Sequence, residues 1–423
     1  MTIDLSRVEK FDITIGQDVL DDLKRRLDDT RWPNLQVAAE ESSIYGIDQA
    51  TLARLVERWR GGFDWRAAET ELNKYNHYRA TVQGQTIHFM HRPSKRSDAI
   101  PVIATHGWPW TFWHWSKVVD ELSDPTGADA DGVPAFDLVI PSYPGFGFST
   151  PLHDPTLTFW RVADLWQELM VDVLGYETYG AVGGDFGAMV TAQMGHKYAD
   201  SLVAIHVSTP TPLDIFHGER WWDITEGRIS PEGASDIERD GLQRYMKKFV
   251  AHIAVHMLDP QTLTYGLSDS PVGMLAWIVR RYQLWVDHDN DLESVFSTDD
   301  LLTIATIFWA TNSIGSSIRT YANTAHYRWQ PSHDRVPAIE APAGITFLGF
   351  ENPPGVTAQQ RADAYRSAAS KRSPSDRSAR WYNLVNVKAH EHGGHFAPWE
   401  NPEGWIVDMR ETFALAQKAK SNG

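Results

Sequence analysis

The apolar positions in the N-terminal part of the chain alternate between helical and strand-like spacing. Leu20, Leu23 and Leu27 recur on one helix face, whereas residues on both sides of Gly84 alternate between apolar and polar. In chain order the pattern predicts a strand over 11–15, a helix over 17–29, a helix after Asp48, a short helix with Trp65 and Leu72, and a hairpin over 78–90. We therefore expect an N-terminal extension, residues 1–95, whose helices dock on the first strands of a sheet.

From residue 101 the pattern changes to short buried strands that alternate with helices. This alternation is typical of a mainly parallel α/β sheet with helices on both faces. The strands are predicted over 102–105, 136–140, an apolar run before Asp185, 202–207, 345–350 and 382–387. Between about residue 213 and residue 335, helices rich in aromatic residues are predicted instead. The expected domains are the N-terminal extension over 1–95, a first core segment over 96–212, a helical lid over 213–335 and a second core segment over 336–423.

Composition removes several classes of function. The net charge of −16 argues against nucleic acid and anionic membranes as partners, because both need basic patches. No cysteine is present, which excludes disulfides, thiolate zinc sites and a cysteine nucleophile. The first residues lack a signal-peptide pattern, and no apolar run approaches the length of a membrane span. We expect a soluble, cytoplasmic protein; whether it forms a homo-oligomer is left open.

The stretch Gly183-Gly184-Asp185-Phe186-Gly187 places an acid on a sharp turn between an apolar run and a helix-forming segment. This layout resembles the nucleophile elbow of the α/β-hydrolase fold, with Asp185 where the commonest version has serine. The glycines leave room for the strand and the helix to meet around the central residue. The alternative is an ordinary turn in which Asp185 caps the next helix.

Two further residues fit the nucleophile–acid–histidine order of that fold. Glu351 directly follows the predicted strand over 345–350, and His395 follows the last predicted strand. Each residue could singly be a surface or capping residue, but their joint placement with Asp185 favours a catalytic triad. Because His390 and His392 lie close to His395, a zinc site is a competing interpretation, although no predicted helix or strand would hold these residues rigidly.

An aspartate nucleophile changes the class of reaction. A carboxylate can displace a leaving group at a saturated carbon and form an alkyl ester with the enzyme. His395, oriented by Glu351, would then activate a water molecule that attacks the ester carbonyl. The backbone N–H groups of Phe186 and of the 106–109 turn, represented by Trp108, are the available donors to the oxyanion. No cofactor is required.

Two substrate classes suit such a first step. A haloalkane releases halide, which weak N–H donors suffice to hold. An epoxide releases an alkoxide, so that ring opening needs an acidic donor from the lid. The tyrosines and histidines of the lid favour the epoxide.

Taken together, these motifs resemble the microsomal-type epoxide hydrolase family over nearly the whole chain. The matching stretches are 30–33, 64–66, 71–73, 106–109, 183–187, 269–273, 299–303 and 393–396. The resemblance implies Asp185 as nucleophile, His395 as base and Glu351 as its acid partner. It also implies two lid tyrosines that donate to the epoxide oxygen. Tyr321 falls on one of them.

The second lid donor is a departure from the family pattern. His252 stands where the family has tyrosine, and it could donate as a cation or as the N–H tautomer. Tyr245, two helical turns earlier, is the alternative donor, and His252 would then be an interior histidine with satisfied hydrogen bonds. A further departure is the missing membrane anchor of some relatives, which fits the expected soluble enzyme.

The sequence therefore predicts an α/β-hydrolase-fold epoxide hydrolase that converts an epoxide and water to a vicinal diol. The abundance of tryptophan in the lid favours a bulky, apolar or aromatic epoxide. A haloalkane dehalogenase of the same fold and a catalytically silent, lid-bearing binding protein are the alternatives. A serine esterase is disfavoured because position 185 is aspartate.

Overall fold

The computed structural model describes residues 7–34, 38, 42–127, 130–208, 210–216, 235–371 and 381–421. Its strands are β1 Glu9–Phe11, β2 Asn76–Val82, β3 Gln85–Arg92, β4 Ile100–Thr105, β5 Phe136–Pro141, β6 Tyr179–Gly183, β7 Leu202–Ser208, β8 Ile339–Phe347 and β9 Tyr382–Ala389. Its α-helices are α1 Gln17–Asp28, α2 Ser42–Tyr45, α3 Gln49–Gly61, α4 Trp65–Leu72, α5 Ser116–Ser123, α6 Phe159–Glu168, α7 Phe186–Lys197, α8 Asp236–Phe249, α9 Ala251–Leu258, α10 Pro260–Asp269, α11 Pro271–Trp285, α12 Thr298–Ala310, α13 Ile314–His326, α14 Ala358–Lys371, α15 Ala397–Glu400 and α16 Pro402–Ser421.

The strands of these residues form one sheet in the order β1-β2-β3-β5-β4-β6-β7-β8-β9. The pairs from β1 to β5 are antiparallel, and every pair from β5 to β9 is parallel. Helices α6 and α7 pack on one face of the sheet, and α5 and α16 pack on the other. The mainly parallel α/β sheet with helices on both faces is therefore confirmed. The carboxyl ends of the parallel strands β4, β6 and β8 lie on the same side of this sheet, where ligands bind in folds of this class.

Two strands differ from their predicted bounds. The predicted strand over 11–15 shares only Phe11 with β1 and is wrong beyond it. Ile13 and Ile15 give their N–H groups to the side chains of Asn73 (2.9 Å) and Glu69 (2.7 Å) rather than to a strand. These two isoleucines are buried, so the apolar alternation correctly indicated burial, although Ile13 and Ile15 do not form a strand. The predicted strand over 345–350 is part of β8, which begins earlier and ends at Phe347.

The N-terminal helices pack chiefly against helices α11 and α12. Arg58 binds both carboxylate oxygens of Asp299 at 2.8 and 2.7 Å, and the indole N–H of Trp59 donates to Thr306 Oγ1 at 2.9 Å. The expected docking of these helices on the first strands thus accounts for only part of their contacts. Two tryptophans of the predicted helical segment over 213–335, Trp221 and Trp222, lie outside the described residues.

No single helix of the described residues is long and apolar enough to cross a membrane, although α12 and α13 jointly reach that length and composition with a bend of 81° between them.

Two backbone segments approach each other closely where β6 turns into α7. A Cβ atom at Gly187 would lie 2.0 Å from the carbonyl oxygen of Thr105, at the end of β4. Because that oxygen belongs to a strand in the middle of the sheet, it has no room to move away. Gly187 is therefore a packing requirement of the turn.

We expect Gly187→Ala to destabilise the protein by about 3 kcal/mol, since the added methyl group collides with backbone rather than with a mobile side chain. Urea unfolding followed by circular dichroism measures the change. Gly266→Ala, on an exposed part of α10 where a Cβ meets no atom within 4 Å, should be neutral or slightly stabilising. Equal effects of the two substitutions would contradict this account of the turn.

Candidate active site

Asp185 lies between the end of β6 and the start of α7 with a strained backbone conformation. Its φ of 53° and ψ of −122° place it in a region that residues with a side chain rarely adopt. The side chain makes no capping hydrogen bond to α7. Instead, Asp185 Oδ1 accepts the backbone N–H of Trp108 at 2.8 Å. The interpretation of this stretch as an ordinary capping turn therefore does not describe the side chain.

The turn over 106–109 is fitted closely against this carboxylate. A Cβ atom at Gly107 would lie 2.3 Å from the Cβ of Asp185, so that only glycine permits the approach. His106 Nε2 accepts the N–H of Tyr143 at 2.9 Å, which leaves its proton on Nδ1, 2.9 Å from the carbonyl oxygen of Gly107. The buried imidazole thus fixes the turn from inside and aims the Trp108 N–H at Asp185.

His395 lies between two carboxylates. Its Nδ1–H donates to Glu351 Oε1 at 2.9 Å, and its Nε2 lies 3.4 Å from Asp185 Oδ2. Burial alone would lower the pKa of His395, but the negative charges of Glu351 and Asp185 outweigh it and raise the pKa to about 10. The two carboxylates therefore favour the imidazolium form of His395 in the resting site.

The loop that carries His395 is held by the end of α11 and by a buried carboxylate. The N–H of His395 donates to the carbonyl oxygen of Trp285 at 3.0 Å. Glu400 accepts the N–H groups of Phe396 and Asp287, both at 2.7 Å, and burial raises its pKa to about 7. Nothing in the sequence points to Glu400 or Asp287, because no local pattern shows that two distant segments share a carboxylate.

The two lid residues expected near the substrate oxygen contact each other. His252 Nε2 lies 3.1 Å from the Tyr321 hydroxyl, and the imidazole stacks on Trp108 with the ring centroids 5.3 Å apart. Burial, reinforced by the neighbouring His256 and Arg281, holds the pKa of His252 well below its usual range. The structure therefore favours the neutral N–H tautomer of His252 over the cation.

Six residues of interest line one cavity of about 420 Å³: Asp185, Tyr245, His252, Tyr321, Glu351 and His395. The rest of its described wall is mostly apolar and includes Phe159, Phe186, Met189, Phe249, Ile253 and Trp285. A volume of this size suits a small organic molecule. Among the described residues, the N–H of Phe186 makes no hydrogen bond to the Asp185 carboxylate, in contrast to that of Trp108.

The histidines around residue 390 serve separate partners. His390 Nε2 bonds to Asp408 Oδ2 at 2.7 Å, away from the contacts of His395 with Asp185 and Glu351. Across the ranges given above, no three His, Cys, Asp or Glu residues come together in a way that could hold a metal ion. The zinc interpretation therefore receives no support from the geometry.

Comparison with known proteins decides the family. Residues 8–115 match the family described as epoxide hydrolase N terminus, and residues 100–244 match the family described as alpha/beta hydrolase fold. A candidate epoxide hydrolase of Stigmatella aurantiaca (strain DW4/3-1) is 34% identical over 412 residues, which cover 96% of this chain and 84% of that protein. The chain belongs to the epoxide hydrolase family.

More distant members of the family agree with this. Epoxide hydrolase 1 of Sus scrofa is 26% identical, with 97% of this chain and 89% of that protein covered. The solved structure of the Aspergillus niger epoxide hydrolase is 26% identical, covers 99% of this chain and 97% of its own, and superposes with a TM-score of 0.73.

The resemblance drawn from the motifs is thus confirmed, as are the α/β-hydrolase fold and the enzymatic nature of the protein. This epoxide hydrolase converts an epoxide and water to a vicinal diol. Because its relatives are epoxide hydrolases, neither a haloalkane dehalogenase nor a silent binding protein is favoured.

We expect Asp185→Asn to lower the pKa of His395 from the value of about 10, because one of the two negative charges that raise it is removed. Nitrogen-15 NMR titration of the imidazole, assigned with His395→Gln, measures the pKa. Asp214→Asn, which changes another acid of the cavity wall, is the matched control and should leave the pKa nearly unchanged. An unshifted His395 titration in Asp185→Asn would contradict the expectation.

Proposed function

We propose that Asp185 is the nucleophile of this epoxide hydrolase, His395 the base and Glu351 the acid partner of His395. The observation that carries this proposal is the continuous contact of Asp185 Oδ2, His395 Nε2, His395 Nδ1 and Glu351 Oε1 at the wall of an apolar cavity. The strained backbone of Asp185 adds support, because such conformations cluster at sites where a side chain must be presented in one orientation.

In the first step, Asp185 Oδ2 attacks a ring carbon of the epoxide. An ester bond forms from Oδ2 to that carbon, the carbon–oxygen bond of the ring breaks, and its electron pair stays on the ring oxygen. Oδ1 is already engaged by the Trp108 N–H, so that Oδ2 is the oxygen available for attack. The ring oxygen takes a proton from Tyr321.

In the second step, the ester changes the protonation of His395. Ester formation removes the negative charge of Asp185, which is one of the two charges that raise the pKa of His395. The pKa falls, and the imidazolium gives its proton to the Tyr321 phenolate left by ring opening, across the cavity that both residues line. Neutral His395 can then take a proton from water. The water oxygen attacks Cγ of Asp185, and the oxyanion forms on Oδ1, where the Trp108 N–H already points. We propose the N–H of Phe186 as the second donor.

Tyr321 can donate to the epoxide only if its proton is not given to His252. Their 3.1 Å contact leaves two arrangements, and only the one in which His252 Nε2–H donates to the phenol oxygen meets this condition. We therefore propose that His252 is the Nε2–H tautomer and supports Tyr321. Tyr245 lines the same cavity, and burial followed by the charge of Glu351 raises its pKa to about 12. It stays the alternative second donor.

We further propose that the substrate is an apolar or aromatic epoxide, because aromatic and aliphatic side chains form most of the described cavity wall. The segment over 213–335 would act as the lid: its described helices α8 and α9 contribute Tyr245 and His252, and α13 contributes Tyr321. The N-terminal extension over 1–95 and the core segments over 96–212 and 336–423 complete this division.

With His395→Gln we expect a covalent ester on Asp185 to accumulate, because the ring can still be opened while the water is no longer activated. Intact-mass spectrometry should show the enzyme heavier by one substrate molecule. His392→Gln, an exposed histidine of the same loop, is the control and should turn over normally. In a single turnover of the unaltered enzyme in heavy-oxygen water, the diol should contain only light oxygen. Heavy oxygen in that first diol would refute the ester route.

We expect Tyr321→Phe to slow ring opening by about a hundredfold to ten-thousandfold, the usual contribution of a positioned general acid. Stopped-flow tryptophan fluorescence resolves formation of the ester from its hydrolysis, and only the first should change. The same measurement on His252→Phe and Tyr245→Phe assigns the second donor as the residue with the larger loss. A Tyr321→Phe enzyme with unchanged ring opening would disprove the role given to Tyr321.

A further inference from the structure

Helix α11 carries a buried cation that the reaction described so far does not use. The side chain of Arg281 is only 7% exposed, and its Nε has no hydrogen-bond partner. Within the described part of the chain no aspartate or glutamate pairs with it, and no carboxylate contributes to its pKa, which burial lowers to about 10. Arg281 is therefore still charged at neutral pH. A buried, unpaired guanidinium is costly, so its presence calls for a physical reason.

Two tryptophans hold this guanidinium. Its central carbon lies 5.1 Å from the ring of Trp277 and 5.8 Å from the ring of Trp285, one helical turn away on either side. Cation–π contacts of this kind compensate part of the lost hydration without neutralising the charge. The charge is thus retained inside the lid.

The same two tryptophans contact the two histidines that lie beside Tyr321. The indole N–H of Trp277 donates to His256 Nε2 at 3.1 Å, and the Trp285 ring lies 4.8 Å from the His252 ring. The rings of both histidines lie beside that of Tyr321, at 4.9 and 5.5 Å. Arg281 is therefore connected through these two tryptophans to the group formed by His252, His256 and Tyr321.

Neither histidine supplies positive charge to this group. His256 Nε2 accepts a hydrogen bond and so carries no proton there, and burial followed by the charge of Arg281 holds its pKa well below the ordinary value. For Tyr321, burial and then Asp185 raise the pKa, and Arg281 is the group that acts against them. Arg281 is accordingly the cation that lowers the pKa of the Tyr321 phenol.

We propose that Arg281 is a positioning residue for ring opening, whose charge stabilises the negative charge that reaches Tyr321 when the epoxide oxygen takes the phenolic proton. The inference rests on the proposed donor role of Tyr321 and adds the source of its acidity. During ester formation the electron pair of the broken ring bond becomes an oxygen–hydrogen bond, and the phenol becomes a phenolate, which the positive charge of Arg281 stabilises. In a site that excludes water, such a fixed charge acts strongly because it needs no reorganisation.

The test is a single-turnover comparison of Arg281→Met, Arg281→Lys and the unaltered enzyme. Arg281→Met should slow ester formation by about tenfold to a hundredfold while ester hydrolysis changes little, since removal of one direct donor typically costs about a hundredfold or more. Arg281→Lys keeps a positive charge and should recover most of the rate. Arg280→Met, on the neighbouring position of α11, controls for loss of a cation from the same helix and should leave both steps close to normal.

The basicity of the alkoxide supplies a readout that a purely structural role would not move. A trifluoromethyl-substituted epoxide gives a weaker base on ring opening than its methyl counterpart, so the loss in Arg281→Met should be smaller with the fluorinated substrate. Equal slowing of both steps, or equal losses with both epoxides, would overturn the proposal. If Arg281→Met does not fold, Arg281→Gln, which is neutral and polar, takes its place.

Parallel measurement of Tyr321→Phe separates the two levels of the argument. If Tyr321→Phe slows ester formation and Arg281→Met does not, the role of Arg281 is wrong and that of Tyr321 stands. If Tyr321→Phe leaves ester formation unchanged, the donor assignment itself is wrong, and the inference on Arg281 is overturned with it.

Discussion

The close fit between Asp185 and its neighbouring glycines is the constraint on which the site depends. Gly107 allows the 106–109 turn to reach the carboxylate, and Gly187 allows α7 to start directly against β4. Between them, the backbone of Asp185 is held in a conformation that it would leave if the surroundings were looser. One carboxylate oxygen thereby accepts the Trp108 N–H, and the other lies 3.4 Å from His395 Nε2. The two proposed reaction steps use this division of the two oxygens.

Helix α11 connects this centre with the rest of the molecule. Its outer side packs against N-terminal helices α1 and α3, its middle carries Arg281, and the carbonyl oxygen of Trp285 at its end holds the N–H of His395. The Arg58–Asp299 pair joins α3 to α12 as well. The N-terminal helices α1 and α3 therefore pack against the helix whose end holds the loop of His395.

Features set by a local pattern or by chain order could be predicted from the sequence. Features that depend on contacts between distant segments could not. The elbow at Asp185, the placement of Glu351 and His395 after strands, and the parallel sheet all leave local signals. The isoleucine alternation over 11–15 was wrong as a strand because side chains from a later helix bind its N–H groups. Glu400 and Arg281 could not be singled out from the sequence, because their surroundings are formed by segments that meet only in the fold. The catalytic roles assigned to individual residues stay predictions until variants are measured.

The position of His395 between two carboxylates also determines where protons are kept. Before substrate arrives, the two carboxylates favour a proton on the imidazole. In the proposed cycle, Tyr321 gives a proton to the epoxide oxygen and regains one from His395. The attacking water later returns a proton to the imidazole, while its second hydrogen leaves with the diol. Such a cycle would draw no hydrogen ion from the surrounding solvent, and the cavity would need no path for proton exchange with the outside.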